Sequence, residues 1–291
     1  MRWRLHSAIF SDSTKLAEAQ DYLVKLGDSV QVVSGRRAEL PPVDSCNEMS
    51  GPFLAITTLQ DAKSLLNSGN GVPGLYWDRI KYDVSYWMPR LEPHIPVLNR
   101  DGMFWPLGML QSFNKLLVAV FGIGTFVFIK PDQGNKAFTG FITEVTNSGL
   151  DLTTQHQLKH LSPETMCFVA PAVTLSNREW RFWVANRNVV AWSPYSWDGP
   201  EEPWTPVPAN VLQVAENMAR NPWQPDISYV VDVALVSTSN KLDPNGAEEP
   251  FLLELNAAST SGIYNVPIPV LLGALRDVAY RELAGELAIS D

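Results

Sequence analysis

The sequence has little cysteine. Its 291 residues include only two, Cys46 and Cys167, which lie far apart without the spacing of metal ligands. A disulfide framework and a cysteine-based metal site are therefore excluded, and the composition is typical of a reducing compartment. His156 and His160 have helical i,i+4 spacing, but no third ligand follows at motif spacing, so a histidine metal site is not indicated either. We expect a cytoplasmic protein.

Long hydrophobic runs are also missing. The longest, 116–129, has 14 residues and contains two glycines, which is too short for a membrane-spanning helix. The apolar run near the N-terminus is too short for a signal peptide. The net charge is -9 and the sequence pI is about 5.0, so a broad surface for nucleic acid or acidic lipid is not expected.

The first third of the chain alternates between strand-like and helix-like segments. We predict strands 5–10, 30–33 and 53–56 and helices 13–26 and 58–67. This alternation is typical of an α/β unit with a largely parallel sheet. Tryptophans then become frequent, and we expect Trp77, Trp87 and Trp105 to cover a domain junction. We therefore predict one domain at 1–100 and a second at 101–291.

The second domain has a different predicted pattern, because several of its strands follow one another through turn-like segments without a helix between them. Its predicted strands are 126–129, 140–145, 167–170, 178–184, 189–192, 229–236 and 251–255. Its predicted helices are 107–121, 211–220 and 267–287.

A buried strand ends in a lysine within the segment FVFIKPDQGNKAFTG. Residues 126–129 form the strand, Lys130 ends it, and Pro131 marks its exit. A lysine in this position is costly unless an anion meets it. The loop beyond contains Gly134 and Lys136 and has the composition of a loop that can close over phosphates with its backbone N–H groups. The alternative is a lysine that reaches solvent above an ordinary hairpin loop.

The segment REWRFWV at 178–184 alternates in character along its length. One face carries Glu179, Arg181 and Trp183, and the other carries Arg178, Trp180 and Phe182. A carboxylate and an arginine two residues apart on one strand face point into the same space. They could form a salt bridge at the surface, but the flanking aromatic residues favour a buried position or a cleft.

Carboxylate and amide side chains interrupt two apolar strands near the C-terminus. Asp232 lies in strand 229–236, while Glu254 and Asn256, two residues apart, share a face of the following strand. The two strands are expected to be hairpin neighbours, so the three side chains can converge. Mg²⁺ suits such oxygen ligands and completes its shell with water and substrate phosphates. The alternative is that these polar groups bond to the backbone at a strand end.

In this order, the lysine strand, its loop, the REWRF strand, the Asp strand and the Glu-x-Asn strand resemble the ATP-grasp superfamily over residues 105–285. LLELNAAST resembles the family's Glu-x-Asn metal strand, VFIKP its second lysine strand, and Lys115 in FNKLL its first. The pattern is most similar to the clade named for two arginines and a lysine, which is widespread in phages and bacteria. The resemblance implies an α/β (α+β) fold. An N-terminal α/β domain would precede an ATP-grasp domain of two subdomains with antiparallel sheets, about 101–165 and 166–291.

The resemblance also implies roles for matching residues. Lys115 and Lys130 would bind the phosphates of ATP. Asp232, Glu254 and Asn256 would bind Mg²⁺. The loop DQGNKAFTG has one internal glycine where many family members have a Gly-rich loop.

Further implied roles concern catalysis and the nucleotide base. Arg178 and Arg181 would face the γ-phosphate or the acyl substrate, and Lys136 of the loop is grouped with them as a catalytic residue. Glu179 would serve as the acidic residue for the ribose. The hinge that meets adenine would be 167–170, with Cys167, Phe168 and Val169.

The activity implied by the resemblance is ligation that depends on ATP and Mg²⁺. A carboxylate would attack the γ-phosphate to give an acylphosphate and ADP, and an amine would then form an amide with release of phosphate. The implied partners are ATP, a carboxylate substrate and an amine acceptor (a small molecule, peptide or protein), with no nucleic acid and no membrane. If the gene is carried by a phage, the location is the host cytoplasm.

Two alternatives have no ligase activity. Six of the ten tryptophans lie between Trp180 and Trp223 and could form an aromatic platform that binds carbohydrate or peptide. A platform of this kind would not need Lys130 together with the three oxygen ligands. The other alternative is an ATP-binding relic that has lost turnover.

Overall fold

A three-stranded parallel sheet forms the first unit of the fold. The computed structural model describes residues 1–35, 53–67, 74–112, 114–134, 136–152, 155–195, 206–237 and 247–287. The sheet order is β2-β1-β3, with β1 at Arg2–His6, β2 at Ser29–Val33 and β3 at Phe53–Ile56. Helices α1 (Ser13–Lys25) and α2 (Leu59–Asn67) complete the unit. The predicted α/β unit with a parallel sheet is confirmed.

Strand β1 lies earlier than the predicted 5–10, and residues 7–9 form a short 3-10 helix. The strand was not predicted from residue 2 because Arg2 and Arg4 alternate with Trp3 and Leu5 and interrupt the apolar pattern. Arg4 is nevertheless buried, since its guanidinium is paired with the carboxylate of Asp61 on α2. A paired charge satisfies the requirement that normally keeps arginine out of a core.

The second unit is a five-stranded antiparallel sheet in the order β4-β8-β5-β6-β7. A short helix α3 (Val84–Trp87) precedes it. The strands are β4 (Met103–Pro106), β5 (Phe126–Pro131), β6 (Phe141–Thr146), β7 (Gly149–Leu150) and β8 (Met166–Pro171). The predicted helix 107–121 is found as α4 (Leu107–Ser112) and α5 (Asn114–Phe121). These helices pack with the sheet around a core that contains Trp105, Leu110 and Ile129.

The third unit is a four-stranded antiparallel sheet in the order β10-β9-β11-β12. Its strands are β9 (Leu175–Ala185), β10 (Asn188–Tyr195), β11 (Ser228–Ser237) and β12 (Glu248–Ala257). Helices α6 (Ala209–Arg220) and α7 (Ile268–Leu283) belong to two different apolar cores. Trp180 and Phe182 face the α6 core, whereas Trp183 faces the α7 core, so the alternation expected of this strand is present.

The parallel unit is attached to the rest of the molecule through α7. Trp3 and Leu23 share a core with Leu271 of that helix. Asp28 accepts two hydrogen bonds from Arg276 of α7, at 2.7 and 3.0 Å. The three tryptophans predicted to cover a domain junction are in two other cores. Trp77 and Trp87 are buried in the α6 core, and Trp105 belongs to the core of the five-stranded sheet. None of the helices in the described ranges is sufficiently long and apolar to span a bilayer.

Candidate active site

The candidate active site lies between the two antiparallel sheets, around a cavity of about 320 Å³. Chain segment 172–174, which connects β8 to β9, contributes to its wall. Apolar lining residues are Leu98, Phe128, Ile142, Phe168, Val173, Leu175 and Leu253. Polar lining residues are Asn99, Lys130, Lys136, Glu179, Tyr195, Asp232 and Glu254. The cavity therefore combines an apolar wall with a cluster of opposite charges.

An arginine–aspartate pair anchors the charged end. Arg181 of β9 and Asp232 of β11 lie directly opposite each other in the sheet. Arg181 donates from Nε to Oδ1 at 2.8 Å and from Nη2 to Oδ2 at 2.7 Å. Both side chains are buried. This bidentate geometry is strong and fixes the orientation of both groups.

Glu254 and Asn256 of β12 complete the polar cluster. The Asn256 amide donates to Asp232 Oδ2 at 2.9 Å and to Glu254 Oε1 at 3.0 Å. The three residues predicted to converge are therefore in direct contact. Two carboxylates and an amide oxygen are a donor set that fits Mg²⁺ shared with nucleotide phosphates.

A β-bulge brings Glu254 to the cavity. Asp232 pairs with Glu254, but the next pair is Val233 with Leu252, so Leu253 is an extra residue. Leu252 and Leu255 are consequently buried in the core, while Leu253 and Glu254 both line the cavity. Strict alternation would have put Glu254 on the same face as Leu252.

Two lysines approach this cluster from the five-stranded sheet. Lys130 at the end of β5 is half-buried, with its Nζ 5.9 Å from the centroid of the Phe168 ring. In the ranges that the structure describes, its ammonium has no hydrogen-bond or ion-pair partner, and burial lowers its pKa. Lys136 reaches Glu254 Oε1 at 3.3 Å. Burial would raise the pKa of Glu254, but Lys136 and Lys130 outweigh it and lower the pKa to about 2.

The loop that carries Lys136 is tethered by side chains outside it. The N–H of Gly134 donates to Asp83 Oδ1 at 2.9 Å, and the N–H of Thr139 donates to Gln157 Oε1 at 2.9 Å. A Cβ at Gly134 would lie 2.7 Å from the Cβ of Tyr82, so this close approach requires glycine. These contacts hold the loop so that Lys136 faces the carboxylates.

Glu179 lines the same cavity without an ion pair in the described part of the chain. Burial and the nearby carboxylates Asp232 and Glu254 raise its pKa to about 7, against the opposing effect of Arg181. Glu179 is therefore a carboxyl group that accepts a proton near neutral pH.

Two predicted site residues lie away from the cavity. Arg178 is exposed, belongs to the opposite face of β9 from Glu179, and pairs with Glu248 of β12. Lys115 is exposed on α5 and is not among the residues that line the cavity. The structure brings Arg181, Lys130 and Lys136 together but not these two cations.

The predicted adenine hinge falls inside a strand. Cys167 and Val169 lie in β8, which pairs with β4 on one side and β5 on the other, so their side chains enter the core and their backbone is part of the sheet. Only the side chain of Phe168 lines the cavity. The segment that connects the two sheets comes after Pro171, at 172–174. Burial raises the pKa of the Cys167 thiol to about 12, so this thiol is unsuited to act as a nucleophile.

A second cavity of about 230 Å³ adjoins the first and shares Lys136 and Tyr195 with it. Sequence reasoning missed its aromatic wall. Tyr195 and Tyr264 have ring centroids 4.9 Å apart, and the Arg181 guanidinium lies 5.3 and 5.2 Å from them. Each tyrosine lies next to a segment that contains prolines and has no hydrophobic periodicity. Only the three-dimensional fold therefore shows that their rings line this cavity.

Residues 112–268, more than half of the chain, match the sequence profile of an ATP-grasp domain. The chain therefore belongs to the ATP-grasp family. Within that family the matching profile is R2K clade family 2, which confirms the clade inferred from the lysine and arginine strands. None of the curated proteins matches the chain.

Solved structures of ATP-grasp proteins have the same fold. A RimK domain ATP-grasp protein from Sphaerobacter thermophilus DSM 20745 is 17% identical, with 96% of each chain covered and a TM-score of 0.56. The D-cycloserine synthetase DcsG is 15% identical, covering 97% of this chain and 99% of its own, with a TM-score of 0.56. The D-alanine–D-alanine ligase from Bacillus anthracis, complexed with ATP, is 11% identical, covering 99% and 100%, with a TM-score of 0.56. The predicted α+β fold with antiparallel sheets is confirmed.

Proposed function

We propose that this protein is an ATP- and Mg²⁺-dependent carboxylate–amine ligase that forms an acylphosphate and releases ADP and phosphate. One observation carries the proposal. The cluster of Arg181, Asp232, Asn256, Glu254 and Lys136 lies where two cavities meet. A nucleotide in one cavity and an acid in the other would bring the γ-phosphate and a carboxylate together at this cluster.

The first cavity suits ATP. Phe128, Ile142 and Phe168 provide an apolar surface for the base, and Val173 comes from the segment that connects the sheets. Among the residues that the structure describes, no anion lies within bonding distance of the Lys130 ammonium, so a phosphate oxygen would be its natural partner.

Asp232, Glu254 and Asn256 are the residues that would hold Mg²⁺. When bound with the nucleotide, the ion would neutralise charge on the phosphates. Asn256 would supply its amide oxygen and Glu254 its carboxylate to the ion. Lys136 lies beside Glu254, where its ammonium could meet the γ-phosphate.

The chain itself would contribute positioning and charge. Asp232 holds the Arg181 fork in one orientation, and the guanidinium borders the second cavity, where a carboxylate substrate would accept its remaining hydrogen bonds. No protein nucleophile is needed, since the substrate carboxylate attacks the phosphate and the amine attacks the resulting acylphosphate. Exclusion of water by the two cavities would protect this intermediate.

Two of the six tryptophans proposed for the rival aromatic platform are not available for binding. Trp180 and Trp183 are buried in two separate cores, with 1% and 0% of their surface exposed. Trp197 and Trp204 lie outside the described residues. Side chains enclosed in cores cannot bind carbohydrate or peptide.

The decisive experiment supplies ATP, Mg²⁺, a panel of carboxylic acids and hydroxylamine. We expect a hydroxamate and ADP, because hydroxylamine captures an acylphosphate. AMP with pyrophosphate would contradict the mechanism even if ATP binds. Mg²⁺-dependent ATP binding without turnover of any acid would favour the ATP-binding relic.

A further inference from the structure

The second cavity suggests which kind of acid the protein accepts. We propose that the acyl donor is a peptide-like acid: the nitrogen next to its reacting carboxylate is acylated, and a second anionic group lies further along the molecule. This inference rests on the ligase function proposed above.

The charges around the second cavity support the first half of the proposal. Arg181 and Lys136 line it, and among the described residues its lining contains no aspartate or glutamate. The reacting carboxylate of a free amino acid would meet these cations, but its ammonium would find no carboxylate among the described lining residues. Burying an unpaired ammonium is costly, whereas an amide needs only neutral hydrogen-bond partners.

Neutral partners are present beside the cluster. Thr260 and Ser261 line the cavity, and the Ser261 hydroxyl donates to the carbonyl of Ala257 at 2.8 Å. The Ser261 oxygen therefore keeps acceptor capacity for an amide N–H. Tyr264 and Trp77 add flat aromatic surface to the same cavity, which suits the plane of an amide.

A third cavity supports the second half. It has a volume of about 270 Å³ and shares Trp77 and Gly134 with the second, so the two are neighbours. Its charged lining residues are Lys63, Asp78 and Arg79. Asp78 Oδ1 accepts hydrogen bonds from the backbone N–H groups of residues 80 and 81, at 2.7 and 2.9 Å. This oxygen therefore stabilises the local turn.

The third cavity is therefore positively charged overall. Lys63 forms no ion pair within the described ranges, and Arg79 donates to the neutral Asn67. An acid that fills the second cavity and continues past Trp77 would bring its distal portion to these two cations. An anionic group there would be recognised by charge-assisted hydrogen bonds.

The test measures binding of four acids to the full-length protein with ADP and Mg²⁺ by calorimetry. The acids are alanine, N-acetylalanine, N-acetyl-Gln-Ala and N-acetyl-Glu-Ala, each with both enantiomers of alanine. We expect N-acetylalanine to bind at least about tenfold more tightly than alanine, and the Glu peptide at least about tenfold more tightly than the Gln peptide. The double variant Lys63→Ala/Arg79→Ala should reduce the Glu/Gln ratio to within about twofold, while the surface control Lys25→Ala should retain it.

The outcomes separate this inference from the ligase proposal. Alanine binding as tightly as N-acetylalanine, or a Glu/Gln ratio unchanged in the double variant, overturns the inference. Formation of ADP and hydroxamate from the same acids is measured in parallel. The expected binding order without any turnover would refute the ligase proposal and support the inferred recognition of acids. Turnover of free alanine in preference to N-acetylalanine would support the ligase proposal and overturn the inference. The comparison of alanine with N-acetylalanine needs only the wild-type protein, so it does not depend on the folding of a variant.

Discussion

Two buried arginine–aspartate pairs have nearly the same geometry but different surroundings. Arg4 donates to Asp61 at 2.7 and 2.8 Å in the parallel unit, and Arg181 donates to Asp232 at 2.8 and 2.7 Å in the four-stranded sheet. All four side chains are almost fully enclosed.

The difference lies in what surrounds each pair. Arg4 also donates to Gln31, and Asp61 also accepts from the hydroxyl of Thr57, so the first network is closed by neutral groups. Arg181 and Asp232 instead have further carboxylates nearby and cavities beside them. A buried ion pair alone therefore does not identify a functional site. Uncompensated charge next to empty space is the more informative feature.

The largest expected effect comes from breaking the closed pair. Asp61→Ala should lower the free energy of unfolding by about 3–5 kcal/mol, because it leaves Arg4 buried without a counterion. Urea denaturation would measure the change. The double variant Arg4→Met/Asp61→Leu removes both charges and should recover most of the loss. If it were as unstable as the single variant, the buried charge would not be the cause.

A smaller effect is expected from the fork of the open pair. Arg181→Lys keeps the charge but loses the planar, bidentate geometry, so turnover should fall about 100-fold, equivalent to about 2.7 kcal/mol of transition-state stabilisation. ATP affinity should change much less. Arg4→Lys is the matched control and should alter stability rather than turnover. Equal losses of turnover in the two variants would remove the distinction between the pairs.

The carboxyl group of Glu179, which forms no ion pair with any described residue, predicts a pH-dependent effect. Its pKa rises from 4.5 to about 7 on folding, so the native state favours the protonated form. Well below pH 4.5 Glu179 is protonated in both the folded and the unfolded state, so it does not change the free energy of unfolding. As the pH rises from about 4.5 to about 7, its deprotonation increasingly destabilises the folded state. Glu179→Gln should therefore be more stable than the wild type at pH 8, by about 2 kcal/mol, and the advantage should vanish near pH 4.

Unfolding at the two pH values, without nucleotide or Mg²⁺, checks this prediction. Glu144→Gln on the exposed side of β6 is the control and should show no such pH-dependent gain. An advantage of Glu179→Gln that stays constant across pH would mean that packing, not charge, is responsible.

The smallest effect concerns Lys130. Lys130→Ala should weaken ATP binding by at least about 1.5 kcal/mol, because one charge-assisted hydrogen bond to phosphate is lost. Lys115→Ala is a matched control, since the structure places Lys115 outside the cavity. Unchanged ATP affinity in a folded Lys130→Ala protein would contradict the assignment of this lysine to the phosphates.

The sequence was most informative where charge interrupts apolar strands. Lys130, Arg181, Asp232 and Glu254 each stood out because burying them requires a partner, and the structure brings all four to two adjoining cavities. The alternation of strands and helices likewise predicted the parallel unit, since periodicity follows from one-sided burial.

Other features depend on long-range packing that no local pattern records. Arg178 resembles Arg181 in sequence but is exposed on the opposite strand face. The apolar run at 167–170 was a sound strand prediction, yet its assignment as a hinge was incompatible with pairing on both sides. Tyr264 lies in the segment between β12 and α7, and only the packing of that segment brings its ring to Arg181 of β9.

The extra residue Leu253 has a consequence for protein engineering. The bulge separates β12 into two halves, each with its own side-chain alternation. Substitutions in 248–252 can therefore change the packing of the first half without changing the face to which Glu254 and Asn256 point. Deleting Leu253 would remove the bulge and leave strict alternation, with Leu252 and Leu255 still in the core and Glu254 and Asn256 still at the cavities. Deleting Leu255 would instead move Asn256 to the core face. Position 253 should therefore accept the loss of a residue far more readily than position 255.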